Sequence, residues 1–183
     1  PSSAASDVYK RQVLQLVKQR LEPTLVLAVT TLTLAVLIAI PMGVIAAWKL
    51  RSWIDRFIMG LSVLGFAVPV FVVGYVLIYI FSIELRWFPV QGYKPLASGA
   101  LETLRSVALP SLALALVYTA LIARMTRASM IEVLSEDYIR TARAKGASQF
   151  AVLLKHALKN AAVPIVTVIG LGFTLLISGV VIT

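Results

Sequence analysis

The chain has 183 residues, of which 60% are hydrophobic and only 14% charged, and its formal net charge is +9. Soluble domains are about 45–50% apolar and about 25% charged, so this composition excludes an ordinary soluble domain and indicates a membrane protein with several spans. The lack of cysteine excludes disulfides, thiol nucleophiles and cysteine metal ligands.

The positive charge has two explanations, nucleic-acid binding and the basic loops that flank membrane spans on the cytoplasmic side. A nucleic-acid groove would need a basic stripe interleaved with exposed aromatic residues, and the sequence has none. The charge therefore favours membrane lipid as the surrounding partner and no nucleic acid.

The N-terminal residues 1–12 are small and polar, and they lack the apolar run of a signal peptide. They resemble translated linker sequence, so residues before about Val13 are suspect as native sequence. Residues 13–22 predict a short amphipathic helix that completes an extracytoplasmic lead-in, 1–22, and reaches the first span at Pro23.

Four apolar segments follow, each close to the ~20 residues that cross a hydrocarbon core of ~30 Å. They cover residues 24–47, 57–83, 106–123 and 161–183, and none contains Asp, Glu, Lys, Arg or His. The sequence thus predicts an all-α transmembrane bundle over 23–183, with a charged loop, 135–160, between the third and fourth segments.

The distribution of Lys and Arg predicts the orientation of the spans. The loops 48–56 and 124–160 carry three and seven of these residues, against seven in the segments on the other side, or five without the suspect start. The loop 135–160 is therefore expected in the cytoplasm and the N-terminus outside. That orientation needs a further span upstream, and the chain is expected to be a fragment.

The loop 135–160 predicts two short helices. In the first, Ser135 is a candidate N-cap, Glu136 and Asp137 suit the positive end of the helix dipole, and Gly146 suits a left-handed residue after the helix. The second has a candidate cap at Ser148. Its apolar residues at helical spacing predict one buried face: Phe150, Leu153, Leu154, Ala157 and Leu158. Lys155 and Lys159 lie off that face.

The run Asp-Tyr-Ile-Arg-Thr-Ala-Arg-Ala-Lys-Gly at 137–146, with His-Ala-Leu-Lys-Asn at 156–160 and Pro164, resembles a known family. It is similar to the cytoplasmic loop of binding-protein-dependent ATP-binding-cassette importer permeases. Only Ala142, Gly146 and Leu158 match the general form of that loop. The longer run matches the first permease subunit of the dipeptide, oligopeptide and nickel branch.

The resemblance implies a six-span permease in a bacterial or archaeal inner membrane, of which this chain covers the second to fifth spans. It implies as partners a homologous second permease, two ATPase subunits that bind ATP and Mg, and an extracytoplasmic substrate-binding protein, with no cofactor on this chain. It also implies that the following residues couple to the ATPase: Glu136, Asp137, Tyr138, Arg140, Thr141, Ala142, Arg143, Lys145 and Gly146.

Prolines and small polar residues in the spans are candidates for hinges or a pore lining. Pro41, Pro69, Pro110 and Pro164 can kink helices, either as hinges or only for packing. Thr167 and Thr174 could line a polar passage or simply help helices pack. The aromatic residues of the loop 84–105, including Trp87, Phe88 and Tyr93, fit an interfacial belt, with binding-protein contact as the alternative.

Missing motifs restrict the chemistry. The sequence contains no phosphate-binding loop, and its spans contain no carboxylate pair or histidine cluster of a proton relay. His156 has no Ser or Cys partner nearby in sequence, which favours a structural or interfacial role over catalysis. Two other classes stay open as alternatives to the importer subunit: an ion-coupled carrier and an intramembrane enzyme.

Overall fold

The computed structural model describes the backbone of residues 2–182 and the side chains of residues 19–178. Over residues 2–182 all regular elements are helical, which confirms the predicted all-α class. The side chains of the suspect start, 1–12, lie outside the described residues. The helices are α1 (Ser2–Trp48), α2 (Trp53–Ala67), α3 (Val70–Ile78), α4 (Ala100–Leu134), α5 (Asp137–Ala144), α6 (Gln149–Ala151) and α7 (Lys159–Ile182).

Two π-helices and one 3₁₀ turn complete the described secondary structure. The segment Tyr79–Glu84 continues α3 as a π-helix, and Val152–Leu158 joins α6 to α7 in the same way. The 3₁₀ turn, Leu96–Ser98, precedes α4. A π-helix has wider turns than an α-helix. The residues of Val152–Leu158 therefore do not keep the α-helical spacing that predicted the buried face of the second loop helix.

Three helical stretches in the described residues are long and apolar enough to cross a membrane: Gln19–Trp48, Ala100–Leu134 and Gln149–Ser178. A fourth span is present if Trp53–Ala67 and Val70–Glu84 are counted as one, although the pair is bent by 93°. The predicted number of spans is therefore confirmed, whereas the prediction of one continuous segment over 57–83 is wrong in shape.

The bend has a local cause at Pro69. A proline disfavours helical backbone in the residue before it and has no N–H to donate. Val68 is accordingly extended (φ −87°, ψ 122°), and α2 ends at Ala67. The chain restarts as α3 when the amides of Val72 and Val73 donate to the Pro69 carbonyl at 3.0 and 3.3 Å.

The other helices are longer than the apolar segments that predicted them. Helix α1 passes through Pro23 without a break, and α4 begins before and ends after the predicted 106–123. The prediction used the absence of charge to set the ends of each span. Backbone hydrogen bonds continue past those points, and charged residues of α4 such as Arg124 and Glu132 have exposed side chains.

Helices α1 and α4 form the central seam. Gly43 lies so close to α4 that an added Cβ would stand 2.5 Å from Thr126 Cβ and 2.7 Å from the Ala123 carbonyl oxygen. Small buried residues line this contact, as expected where helices meet in a membrane. Pro23 shares a cavity with Pro110 at the other end of the seam, so the two helices run parallel.

The remaining long helices pack on this seam, again at glycines. A Cβ on Gly65 of α2 would lie 3.2 Å from Ala120 Cβ, and one on Gly172 of α7 would lie 3.0 Å from the Tyr118 ring. The outward faces of α2, α3 and α7 leave large apolar side chains exposed. Such surfaces suit lipid or further helices and would be unusual in a soluble monomer.

Candidate coupling site

Helix α5 is a short rod of eight residues that presents most of its surface to solvent. Ile139 is its only buried residue, with 0% of its surface exposed. The other seven residues are exposed or half-buried, including the charged side chains of Asp137, Arg140 and Arg143. At 1.5 Å per residue the rod is about 12 Å long, so it offers a compact charged face.

The predicted N-cap of this helix is wrong. Ser135 ends α4, and its hydroxyl donates to the Glu132 carbonyl at 2.6 Å. Glu136 occupies the cap position of α5 without a side-chain capping bond. The serine hydroxyl is used by the preceding helix because α4 extends to Leu134, which the apolar pattern did not reveal.

The predicted left-handed turn at Gly146 is confirmed. Its φ is +81°, which costs a residue with a side chain free energy but not glycine. The Gly146 amide donates to the Arg143 carbonyl at 3.0 Å, and the Ala147 amide donates to the Ala142 carbonyl at 3.1 Å. This is the Schellman arrangement that closes a helix end, so the direction of the chain leaving α5 is fixed by local geometry.

The second loop helix begins as predicted. The Ser148 hydroxyl accepts a hydrogen bond from the Ala151 amide at 3.3 Å, which confirms this cap. The predicted buried face is only partly right. Leu153 and Ala157 are buried, whereas Phe150 and Leu154 are 73% and 40% exposed.

The π-helix explains this correction. An α-helical spacing put residues 150, 153, 154, 157 and 158 on one face, but the wider turn rotates the residues of Val152–Leu158 relative to that pattern. Val152, which the stripe omitted, has 0% of its surface exposed. Lys155 and Lys159 are exposed, as expected.

Two contacts hold α5 to the second loop helix and to the start of α7. Ile139 packs in the main apolar cluster with Val152, Leu153 and Ala157. The Asn160 side-chain amide donates to the Tyr138 hydroxyl oxygen at 2.6 Å and also to the His156 carbonyl at 3.1 Å. Leu153 and Ala157 belong to the predicted buried face, whereas the sequence analysis predicted neither the burial of Ile139 nor the bond from Asn160 to Tyr138.

An open cleft of about 290 Å³ lies between α5 and the second loop helix. Its lining includes Tyr138, Thr141, Lys145 and His156. His156 is half-buried here, between two elements, as a structural or interfacial residue would be. Thr141 donates to the Asp137 carbonyl of its own helix at 3.1 Å, so its hydroxyl stabilises α5 internally.

An ion pair that sequence reasoning missed fixes the inner ends of α2 and α4. Arg127 donates to Asp55 through Nε and Nη2 at 2.6 and 2.8 Å. The Asp55 carboxylate also accepts from the Arg51 amide at 3.0 Å, and its own amide donates to the Ser52 hydroxyl at 3.4 Å. The spacing of Ser52 and Asp55 before an apolar run is a helix-start signal, but it does not reveal Arg127.

The candidate hinge and pore residues lie in different settings. Pro41, Pro110 and Pro164 are inside helices, and Pro69 marks the bend. The hydroxyls of Thr167 and Thr174 donate to the carbonyls four residues earlier in α7, at 2.9 and 3.0 Å. These observations leave the hinge and pore assignments as predictions.

The outer loop is tied to the start of the first span. Glu22 accepts from the Tyr93 hydroxyl at 2.9 Å and from the Leu96 amide at 2.7 Å. Burial and the hydrogen bond to the Glu22 carboxylate raise the pKa of Tyr93 to about 12. Trp87 and Phe88 instead pack around Phe81, with ring centroids 5.9 and 6.4 Å away.

Among the described residues, no group of three His, Asp or Glu side chains lies close enough to hold a metal ion. Lys94, in the loop before α4, and Glu102, in the first turn of α4, form an exposed ion pair. The arrangement therefore holds one short charged helix at one end of an apolar helical bundle.

Comparison with known proteins agrees with this arrangement. Residues 39–183 match the family described as "Binding-protein-dependent transport system inner membrane component". A protein of Sinorhizobium fredii named probable peptide ABC transporter permease is 54% identical over 171 residues, covering 93% of this chain and 55% of its own length. The glutathione transport system permease protein GsiC of Escherichia coli strain K12 is 43% identical over 174 residues, covering 95% and 54%. The chain thus spans about half the length of these relatives.

Proposed function

The chain belongs to the family of binding-protein-dependent transport system inner-membrane components, and from this premise we propose that the intact protein is a permease subunit of an ATP-driven importer. The family consists of multi-pass membrane components of transport systems, so the chain is a transport subunit rather than an enzyme. Both named relatives are bacterial, which supports a place in a bacterial inner membrane.

The proposed cargo is a peptide or a related small solute. One relative carries peptide in its name and the other glutathione, itself a small peptide. The intact subunit would form the passage together with a homologous second permease, and an extracytoplasmic binding protein would deliver the cargo. Nickel, which the resemblance also allowed, has no support from these names.

The observation that carries the coupling proposal is the exposure of most of α5, in which Ile139 is the only buried residue. A charged rod that is exposed and fixed at its C-terminal end can fit a cleft on another protein and transmit displacement. We assign that partner as the ATPase subunits, which would bind ATP and Mg. The docking residues are Glu136, Asp137, Tyr138, Arg140, Thr141, Ala142, Arg143, Lys145 and Gly146.

A first experiment tests the class of protein. The intact protein is purified from its native membrane in mild detergent, and the associated proteins are identified. ATPase subunits should co-purify if it is an importer subunit. An ion-coupled carrier or an intramembrane enzyme would be purified without ATPase subunits.

A second experiment tests the rod. Gly146→Val should disturb the turn by about 1–2 kcal/mol, because valine at positive φ is strained, although a Cβ there would meet no atom within 4 Å. Gly146→Asn is the matched control, since asparagine tolerates this conformation. Uptake and substrate-stimulated ATP hydrolysis in proteoliposomes should fall for valine and be largely kept for asparagine. Unchanged uptake with valine would contradict the proposal.

A further inference from the structure

The orientation of α5 about its own axis depends on its contacts with the neighbouring helices. Ile139 is the only buried residue of α5, and it holds the helix in the main apolar cluster. The helix also continues into the turn at Gly146. An apolar contact is non-directional, so it sets which face of α5 is buried but does not fix the angle of the helix about its own axis precisely.

The hydrogen bond between Asn160 and Tyr138 is directional, so it can orient α5 about its own axis. Tyr138 is adjacent to Ile139, about 100° around the helix, and its hydroxyl contacts Asn160 at the start of α7. Asn160 Nδ2 lies 3.1 Å from the His156 carbonyl and 2.6 Å from the Tyr138 hydroxyl. Since a side-chain amide has two N–H donors, it can serve both, and the bond to His156 orients the group toward Tyr138.

Asn160 also lies in the first turn of α7. It is the second residue of α7, directly after the π-helix Val152–Leu158. Pro164, four residues later, has no N–H to donate to the Asn160 carbonyl. Because Tyr138 is bonded to Asn160, a displacement of Tyr138 reaches the first turn of α7 directly, without passing through the turn at 145–148.

We propose that the hydrogen bond from Asn160 to Tyr138 is the joint that fixes the orientation of α5 on the base of α7, so that the two helices turn as one body. This inference rests on the proposed function, because it assumes that a partner moves α5. Asn160 and Tyr138 are thus positioning residues that act through α7. Loss of a hydrogen bond of ordinary strength should raise the population of molecules with a misoriented α5 about fivefold.

The test measures solute taken up per ATP hydrolysed by the intact transporter in proteoliposomes. Tyr138→Phe and Asn160→Ala should each lower this ratio severalfold while ATP hydrolysis continues. The double variant should lower it no further than either single variant, because both changes remove the same bond.

Tyr75→Phe is the matched control, because it removes a hydroxyl from an exposed tyrosine outside the loop, and it should leave the ratio unchanged. Equal ratios in all variants with the ATPase still bound would overturn the joint but not the proposed function. Additive losses in the double variant would also overturn it. If no ATPase accompanies the wild-type protein, both proposals fail.

Discussion

Replacing Asp55 with asparagine tests whether the ion pair to Arg127 holds the inner ends of α2 and α4 together. The wild-type carboxylate accepts two bonds from Arg127 at 2.6 and 2.8 Å and one from the Arg51 amide at 3.0 Å. Asparagine keeps the shape but removes the charge. One of its two terminal groups is an NH₂ donor, which would face another donor in this site.

The size of the effect follows from burial. The Asp55 side chain is 5% exposed and that of Arg127 26%, so the variant leaves a mostly buried cation unpaired. Breaking such a pair on one side costs about 3–5 kcal/mol. Because a quarter of Arg127 still reaches solvent, we expect the lower end of that range, about 3 kcal/mol.

The assay is thermal unfolding of the intact protein in detergent, followed by tryptophan fluorescence, since Trp48 and Trp53 lie beside this site in the sequence. Asp55→Asn should lower the midpoint by several degrees. The double change to leucine at 55 and 127 should be milder, because it leaves no orphan charge. Glu102→Gln is the control: its pair with Lys94 is 53% exposed on both sides, and such pairs contribute less than about 1 kcal/mol. Equal midpoints for Asp55→Asn and Glu102→Gln would refute the reasoning.

Two further predictions concern the seam and the outer loop. Gly43→Ala should destabilise the protein by about 1–3 kcal/mol by forcing α1 off α4, whereas Gly60→Ala, whose Cβ would meet nothing within 4 Å, should be neutral or slightly stabilising in the same unfolding assay. The raised pKa of Tyr93 means that its contribution to stability is complete below pH 10, the ordinary tyrosine value, and is lost as pH rises toward about 12. Tyr93→Phe should flatten that part of the pH–stability curve, and a slope equal to wild type would count against the bond to Glu22.

Much of the fold could be predicted because it depends on composition and local backbone chemistry. Long uncharged segments must form helices in a bilayer, since no water is available to satisfy the backbone, so the spans could be counted from the sequence. The turn at Gly146 and the cap at Ser148 were equally local. The family followed from one contiguous run, 137–146, and the match over residues 39–183 confirmed it.

The parts that could not be predicted involve partners distant in the chain, a change of helix type or a helix that extends beyond its apolar segment. Ser135 was misassigned because α4 extends further than its apolar segment. The buried face of the second loop helix was misjudged because Val152–Leu158 is a π-helix, and no residue pattern distinguished it from α-helix.

The amino-acid sequence by itself determined that this protein is a helical membrane protein with a charged loop between its spans, because burial of apolar groups and backbone preferences act residue by residue. Only the tertiary structure decided that Asp55 meets Arg127 across 72 positions and that Asn160 meets Tyr138 across 22. Those pairings depend on where α2, α4, α5 and α7 lie relative to one another, which is set by packing among the helices and not by a local pattern of residues.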